Sequence, residues 1–349
     1  MIKQGTQDWL ETKKQFIGAS EIYSLIHHYC QNELVALGIN VIEEKPFLGA
    51  QELYLKLSGA ELEPIDPVFA DFGNKMESYI LHRCQIEQGD KLAITETDGF
   101  FTNPEFHRLA ACSPDGFLEV IGSGKISDFD NKVQVAAAWG EGVLELKTSN
   151  FYAKFHGGAK AQYLFQLQYQ MAITGKKWGA LAVLNPTNPD FDSEYFKGQA
   201  VILAQNNDES LKDKYNLFFF VYPILPRFQE LITKALNRFA ADFESKNYNG
   251  TRATWSKEIV EREKRILAQM FPDKFGSLAL CQEDPLDQCL NELQSLKPEK
   301  LKLETEESNL KAQIQQLLGS HIEAIGTQYI IKLDKRGAMR IQPNRQHIN

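Results

Sequence analysis

The chain has 349 residues, 43% of them hydrophobic, enough to bury one large core with a smaller appendage. No apolar run approaches the roughly 18 to 20 residues that span a bilayer, and residues 1–10 are polar where a signal peptide is apolar, so the chain is expected in the cytoplasm, away from membranes. Cys30, Cys84, Cys112, Cys281 and Cys289 include no CxxC pair, which argues against a disulfide framework or zinc ribbon, and a net charge of -8 confines any nucleic-acid contact to a local surface.

Residues 9–14 have the composition of a short helix, broken by Gly18-Ala19-Ser20. A second apolar-periodic stretch follows, led by Ile22, Leu25 and Ile26, with Ser20 in the N-cap position. Residues 43–67 are less regular. Helical spacing returns over 72–85 through Phe72, Met76, Tyr79, Ile80 and Arg83, with Glu77 one turn beyond Gly73. Residues 100–101 and 109–112 read as strands, Ser113-Pro114-Asp115-Gly116 as a type I turn, and 117–121 as the start of another strand.

After a polar loop over 122–131, strand character resumes at Val133, Val135 and 143–148. Asp115 and Glu145 are therefore expected on neighbouring antiparallel strands separated by a long insertion. Within 143–147 the period of two puts Glu145 and Lys147 on one face, Leu144 and Leu146 on the other. Residues 159–174 form a glutamine-rich helix closed by Gly175, 178–184 and 217–222 are buried strands, and 227–245 is an amphipathic helix. Composition then changes. The expected division is a core over 1–247, a helical connector over 248–285 holding a charged helix at 257–271, and a module over 286–349. That module reads as a charged helix to residue 318, then strand, turn and strand with Asp334-Lys335-Arg336-Gly337 at the turn.

Phosphodiester hydrolysis needs an activated water and neutralisation of charge on the phosphoryl oxygens, both of which Mg²⁺ held by carboxylates can supply. Asp115 and Glu145 are the candidate metal ligands, the Leu146 carbonyl lies between them in reach of the same ion, and Lys147 would stand beside the attacking water. Each motif alone has a second reading: Ser-Pro-Asp-Gly is good turn chemistry, and Glu-x-Lys suits any solvated sheet edge. Their order and their flanking strand patterns favour the nuclease reading. The histidines, including His27, His28 and His156, lack metal-ligand spacing, and Tyr152 and Phe155 read as core packing ahead of base stacking.

The series Ile17-Gly18-Ala19-Ser20-Glu21-Ile22, Gly73-Asn74-Lys75-Met76-Glu77, Ser113-Pro114-Asp115-Gly116, Glu145-Leu146-Lys147 and Tyr163-Leu164-Phe165-Gln166-Leu167-Gln168-Tyr169 resembles the phage lambda exonuclease family, also called YqaJ-like viral recombinases. The resemblance implies an α/β (α+β) restriction-endonuclease-like core, a central mixed sheet flanked by helices, to which this chain adds its helical and β-hairpin appendage. It implies Mg²⁺-dependent digestion of duplex DNA from 5′ ends to leave 3′ single strands, with Mn²⁺ able to substitute. Asp115 and Glu145 match the family's metal ligands, Lys147 its catalytic lysine, Glu77 a helix glutamate near the metal-bound water, and Gln166 the glutamine that closes the motif set. Tyr163 falls one helical turn before Gln166 on the same face.

Ser20 is similar to a serine that contacts the terminal 5′ phosphate together with an upstream basic residue. Where the family commonly carries Arg, seven residues earlier, this chain has Lys13, a point charge without the bidentate fork. The 29 residues between Asp115 and Glu145 also exceed the family's compact spacing. The resemblance further implies a ring, a trimer or another cyclic homo-oligomer, threading double-stranded DNA ends beside a single-strand annealing protein in the host cytoplasm. A ring lets basic residues line the bore while the outside stays acidic. Two rivals stay open: an endonuclease or nickase on the same core, and a non-catalytic DNA-end-binding adaptor for the annealing protein.

Overall fold

The computed structural model describes residues 6–62, 67–121, 125–127, 134–153, 155, 158–251, 257–270, 285–318, 323–325, 329–333 and 339–343. In chain order the helices are α1 (Gln7–Lys13), α2 (Ile22–Tyr29), α3 (Gln31–Ala36), α4 (Ala50–Leu57), α5 (Pro67–Gln88), α6 (Ala161–Thr174), α7 (Glu194–Gln205), α8 (Pro226–Glu244), α9 (Lys257–Met270) and α10 (Pro285–Leu318). The strands are β1 (Leu92–Glu96), β2 (Phe101–Thr102), β3 (Ala111–Cys112), β4 (Gly116–Val120), β5 (Lys125–Ser127), β6 (Gln134–Ala136), β7 (Gly142–Thr148), β8 (Trp178–Pro186), β9 (Tyr215–Pro223), β10 (Glu323–Ile325), β11 (Tyr329–Leu333) and β12 (Met339–Pro343). The chain forms two compact units, residues 1–273 and 274–349.

The first unit is built on a five-stranded sheet of order β1-β4-β7-β8-β9. β7 and β8 run parallel and the other pairs antiparallel, so the sheet is mixed. Alternation along the strands sorts the core into two layers. Leu118, Val120, Leu144, Leu146, Ala180 and Ala182 pack with Met76, Tyr79 and Ile80 of α5 and Ala200 and Ala204 of α7. On the opposite face Val143, Leu181, Val183 and Phe220 meet Tyr163, Leu167 and Met171 of α6. Behind α6, the apolar stripe Leu231, Ile232, Ala235, Leu236 and Phe239 of α8 packs with Ile22, Leu25 and Ile26 of α2. Gly175 ends α6 in the left-handed region at φ 70°, where a residue without Cβ carries no strain.

Three helices were not anticipated from sequence, α3, α4 and α7. Each is short, and α4 lies in a stretch whose Glu and Pro content masked its apolar face, Leu53, Tyr54 and Leu55. Three other expectations are corrected. No hydrogen-bonded turn forms at 113–116: the Asp115 N–H donates to the Leu144 carbonyl (3.2 Å) and its carbonyl accepts from the Thr97 N–H (3.2 Å), so the segment is drawn into the sheet. Ser20 is not the N-cap of α2; Glu21 holds that position and Ser20 is exposed. The C-terminal appendage is more than a hairpin, because β10, β11 and β12 form an antiparallel three-stranded sheet.

The long insertion contains an antiparallel pair, β5 with β6, and buries Val135 against Leu118 and Val120. α9, expected in a connector, packs Ile266 on Leu55 and Ala60 and pairs Arg262 with Glu52 at 2.8 Å. Expectations for the 128–133 loop, His156, the 275–284 connector and the 334–337 turn lie outside the described residues. Among the described residues no helix is long and apolar enough to cross a membrane.

Candidate active site

Antiparallel pairing of Gly116 with Leu144 sets Asp115 beside the middle of β7. The Leu146 N–H donates to Asp115 Oδ2 at 2.6 Å, tying the aspartate to the strand that carries Glu145 and Lys147. Because side chains alternate, Leu144 and Leu146 enter the core on the α5 side, and Glu145 turns toward α6. Glu145 is 2% exposed and fully engaged. Its Oε1 accepts from Lys147 Nζ and Gln166 Nε2, and its Oε2 accepts from Gln170 Nε2 at 2.6 Å. Gln166 and Gln170 lie one turn apart on one face of α6, so both amides reach the same carboxylate.

The electrostatics follow from this crowding. Burial and the Glu145 carboxylate push the Asp115 carboxyl well above the usual range, against the pull of Lys147 and the Leu146 N–H. Burial opposes the Lys147 charge, yet Glu145 and Asp115 outweigh it and hold the ammonium more firmly protonated than a free lysine. Glu77 on α5 is half-buried; burial raises its carboxyl, Glu145 and Glu96 add to that and Lys147 opposes it, which puts Glu77 in the same electrostatic neighbourhood. Burial also raises the Tyr163 hydroxyl, and Lys147 and Glu145 act on it in opposite senses.

Among the described residues no group of three or more His, Cys, Asp or Glu side chains is arranged to hold a metal ion. The candidate donor set is instead two carboxylates, Asp115 and Glu145, with the Leu146 backbone. Hard oxygen donors carrying mutually repelling charge in a half-dry setting suit Mg²⁺ or Mn²⁺ and not a softer ion. The Asp115 carboxyl is raised first by burial and then by the Glu145 charge, and a divalent cation would offset both.

Beside the carboxylates opens a cavity of about 100 Å³, lined by Trp9, Lys13, Ser20, Cys112, Ser113 and Gln166 among others. That is room for roughly three waters at ~30 Å³ each, the scale of a phosphoryl group. Lys13 and Ser20, far from Gln166 in sequence, thus share one hollow with it. The Lys13 ammonium lies 4.6 Å from the Trp9 ring centroid, and Trp9 Nε1 donates to Ser113 Oγ at 3.3 Å.

Residues 8–177 match the model of the YqaJ-like viral recombinase domain. Over this segment the chain is similar to the YqaJ-like viral recombinase family. The matched span holds Lys13, Ser20, Glu77, Asp115, Glu145, Lys147, Tyr163 and Gln166. Comparison with curated proteins found no match. Among solved structures the chain is similar to an alkaline exonuclease from Laribacter hongkongensis, at 18% identity and a TM-score of 0.40 over 76% of this chain and 100% of that one. The complex of that exonuclease with dAMP matches at 18% identity and a TM-score of 0.41, with the same coverage.

Sequence reasoning missed Gln170, Trp9 and Ser113. Gln170 could have been found from its spacing of four from Gln166, and Ser113 from its place two residues before Asp115; nothing in the sequence signals that Trp9 reaches Ser113. His27 and His28 bond backbone carbonyls, of Val41 (2.9 Å) and Gly250 (2.7 Å), as structural residues do. Phe155 is buried in the core as expected, whereas Tyr152 is 76% exposed. Gln170→Leu withdraws a donor from the buried Glu145 carboxylate. It is expected to lower the unfolding free energy by about 1–3 kcal/mol, read from denaturant midpoints.

Proposed function

We propose that the chain is a Mg²⁺-dependent 5′-to-3′ double-strand DNA exonuclease of phage-type recombination that leaves 3′ single-stranded tails. The observation that carries this reading is the convergence of Asp115, Glu145 and Lys147 at the β4–β7 pair, next to a cavity lined by Lys13 and Ser20. Asp115, Glu145 and the Leu146 carbonyl would hold the ion, which when bound acts as a Lewis acid toward water and the phosphoryl oxygens. Gln166 and Gln170 keep the Glu145 carboxylate in one orientation. Lys147, held protonated, donates to the attacking water and offsets charge on the phosphoryl group. Glu77, its carboxyl raised, is suited to take up the proton that the water gives up. Lys13 and Ser20 would receive the terminal 5′ phosphate and Tyr163 would border the bound strand.

In this reading the protein works in the host cytoplasm as a ring, a trimer being the expectation, and hands its 3′ tail to a single-strand annealing protein. Residues 286–349 would serve as the interaction module, and the nuclease core expected over 1–247 would extend to take in α9, which packs on α4. Linear duplex labelled at either end tests polarity and activity together. Immediate Mg²⁺-dependent release of 5′-labelled mononucleotides, with closed circles untouched, is the expected result. Cutting of closed circles would instead establish the endonuclease, and no release from any substrate would leave the end-binding adaptor.

A further inference from the structure

A buried ion pair stands behind the cavity that holds Lys13 and Ser20. Lys56 Nζ, from α4, lies 2.9 and 2.7 Å from the two oxygens of Glu21, the residue that opens α2, and donates to the Phe16 carbonyl at 2.8 Å. Glu21 Oε2 also accepts the Gly18 N–H at 2.8 Å. The two side chains are 8% and 11% exposed, so this is a desolvated pair and not a surface one. Phe16 and Gly18, the two backbone groups it grips, both line the cavity.

The carboxylate lies close to the hollow as well. A Cβ added at Gly18 would stand 3.4 Å from Glu21 Oε2 and 3.9 Å from Lys13 Cε, so little more than one glycine separates Glu21 from Lys13. An uncompensated carboxylate there would cancel the Lys13 charge and repel an incoming phosphate. With Lys56 present, the three groups sum to one positive charge; without it they sum to zero.

We propose that Lys56 is a positioning and charge-compensating residue of the 5′-end pocket: by engaging Glu21 it pins the 16–20 segment and leaves the Lys13 ammonium to face a 5′ phosphoryl group. This rests on the exonuclease reading and deepens it. Lys56 touches neither the DNA nor the reacting atoms; it acts through Glu21. A merely structural ion pair makes the same defect whichever partner is removed, whereas charge compensation gives defects of opposite sign. Lys56→Met leaves Glu21 unpaired, and Glu21→Gln leaves an extra cation.

The test measures kcat and KM on 5′-phosphorylated and 5′-hydroxyl linear duplexes for the full chain. Lys56→Met is expected to lower the preference for 5′-phosphorylated ends on the order of tenfold, chiefly through KM. Glu21→Gln is expected to keep or raise that preference, and the double variant Glu21→Gln with Lys56→Met to recover most of what Lys56→Met loses. Should Lys56→Met fail to fold by circular dichroism, Glu21→Gln still decides, and the double variant is read against wild type, a loss of preference on the order of tenfold overturning the proposal. A fall in preference for Glu21→Gln, or a double variant no better than Lys56→Met, overturns the proposal. Wild-type protein that digests both ends equally removes the phosphate pocket and this proposal with it. Wild-type protein that releases nothing refutes the exonuclease reading itself.

Discussion

Lys147→Ala is expected to lower Mg²⁺-dependent nucleotide release from linear duplex by about 10³-fold, with the fold intact. The size follows from what one positioned donor contributes to a developing oxyanion and one proton-transfer partner to an attacking water. Lys147 is suited to the first role more than the second, because Glu145 and Asp115 keep it protonated. The substitution spares the other contacts of Glu145, since Gln166 and Gln170 still donate to it. Far-ultraviolet circular dichroism should keep its folded signature while the denaturation midpoint falls at least as far as for Gln170→Leu, because a buried carboxylate loses its cation, and single-turnover release collapses. Release at the wild-type rate would remove Lys147 from the chemistry.

Asp115→Asn should separate stability from activity. A carboxyl raised in the folded state binds its proton more tightly there than in the unfolded chain. Its contribution is therefore most favourable below the unfolded value near 4 and is lost as pH rises toward the raised folded one. At neutral pH without added metal, wild-type protein carries the cost of setting two carboxylates together. Asparagine removes one charge and keeps an oxygen for the Leu146 N–H, which Asp115 accepts at 2.6 Å. Metal-free Asp115→Asn is thus expected to be more stable than wild type by about 1–2 kcal/mol at pH 7 to 8, and equal to it near pH 4.

The same variant should lose activity by about 10³-fold or more and lose the stabilisation that Mg²⁺ confers. For wild type that stabilisation is about 2.7 kcal/mol at a hundredfold excess over Kd. Thermal melts with and without Mg²⁺ read both effects. A variant that is less stable without metal yet still stabilised by Mg²⁺ would show that Asp115 is not a ligand.

Much of the carboxylate site was legible because its information is local. In Val143-Leu144-Glu145-Leu146-Lys147 a period of two decides which side chains share a face, and the structure keeps that division. Where a residue's role depends on what arrives from elsewhere, the sequence was silent or misleading. Ser113-Pro114-Asp115-Gly116 has every preference of a turn, yet the Leu144 carbonyl and the Thr97 N–H draw Asp115 into the sheet. Ladder bonds to strands already in place outweigh a local turn preference. Ser20 has the chemistry of an N-cap, but Lys56 holds Glu21, and Glu21 takes the capping position.

The sequence by itself determined the places of β4, β7, β8 and β9 along the chain, the shared face of Glu145 and Lys147 and the α6 helix with its Gly175 terminus. Each is set by hydrophobic period or backbone freedom within a few residues. The mixed-sheet class, by contrast, followed from the family resemblance, and β1 was not anticipated. Only the tertiary structure decided that α6 lays two glutamines on one carboxylate, that Lys13, Ser20 and Ser113 border one hollow, and that Lys56 neutralises Glu21 behind it. Those relations join segments 21 to over 100 residues apart, and burial, which no local pattern encodes, is what makes each of them matter.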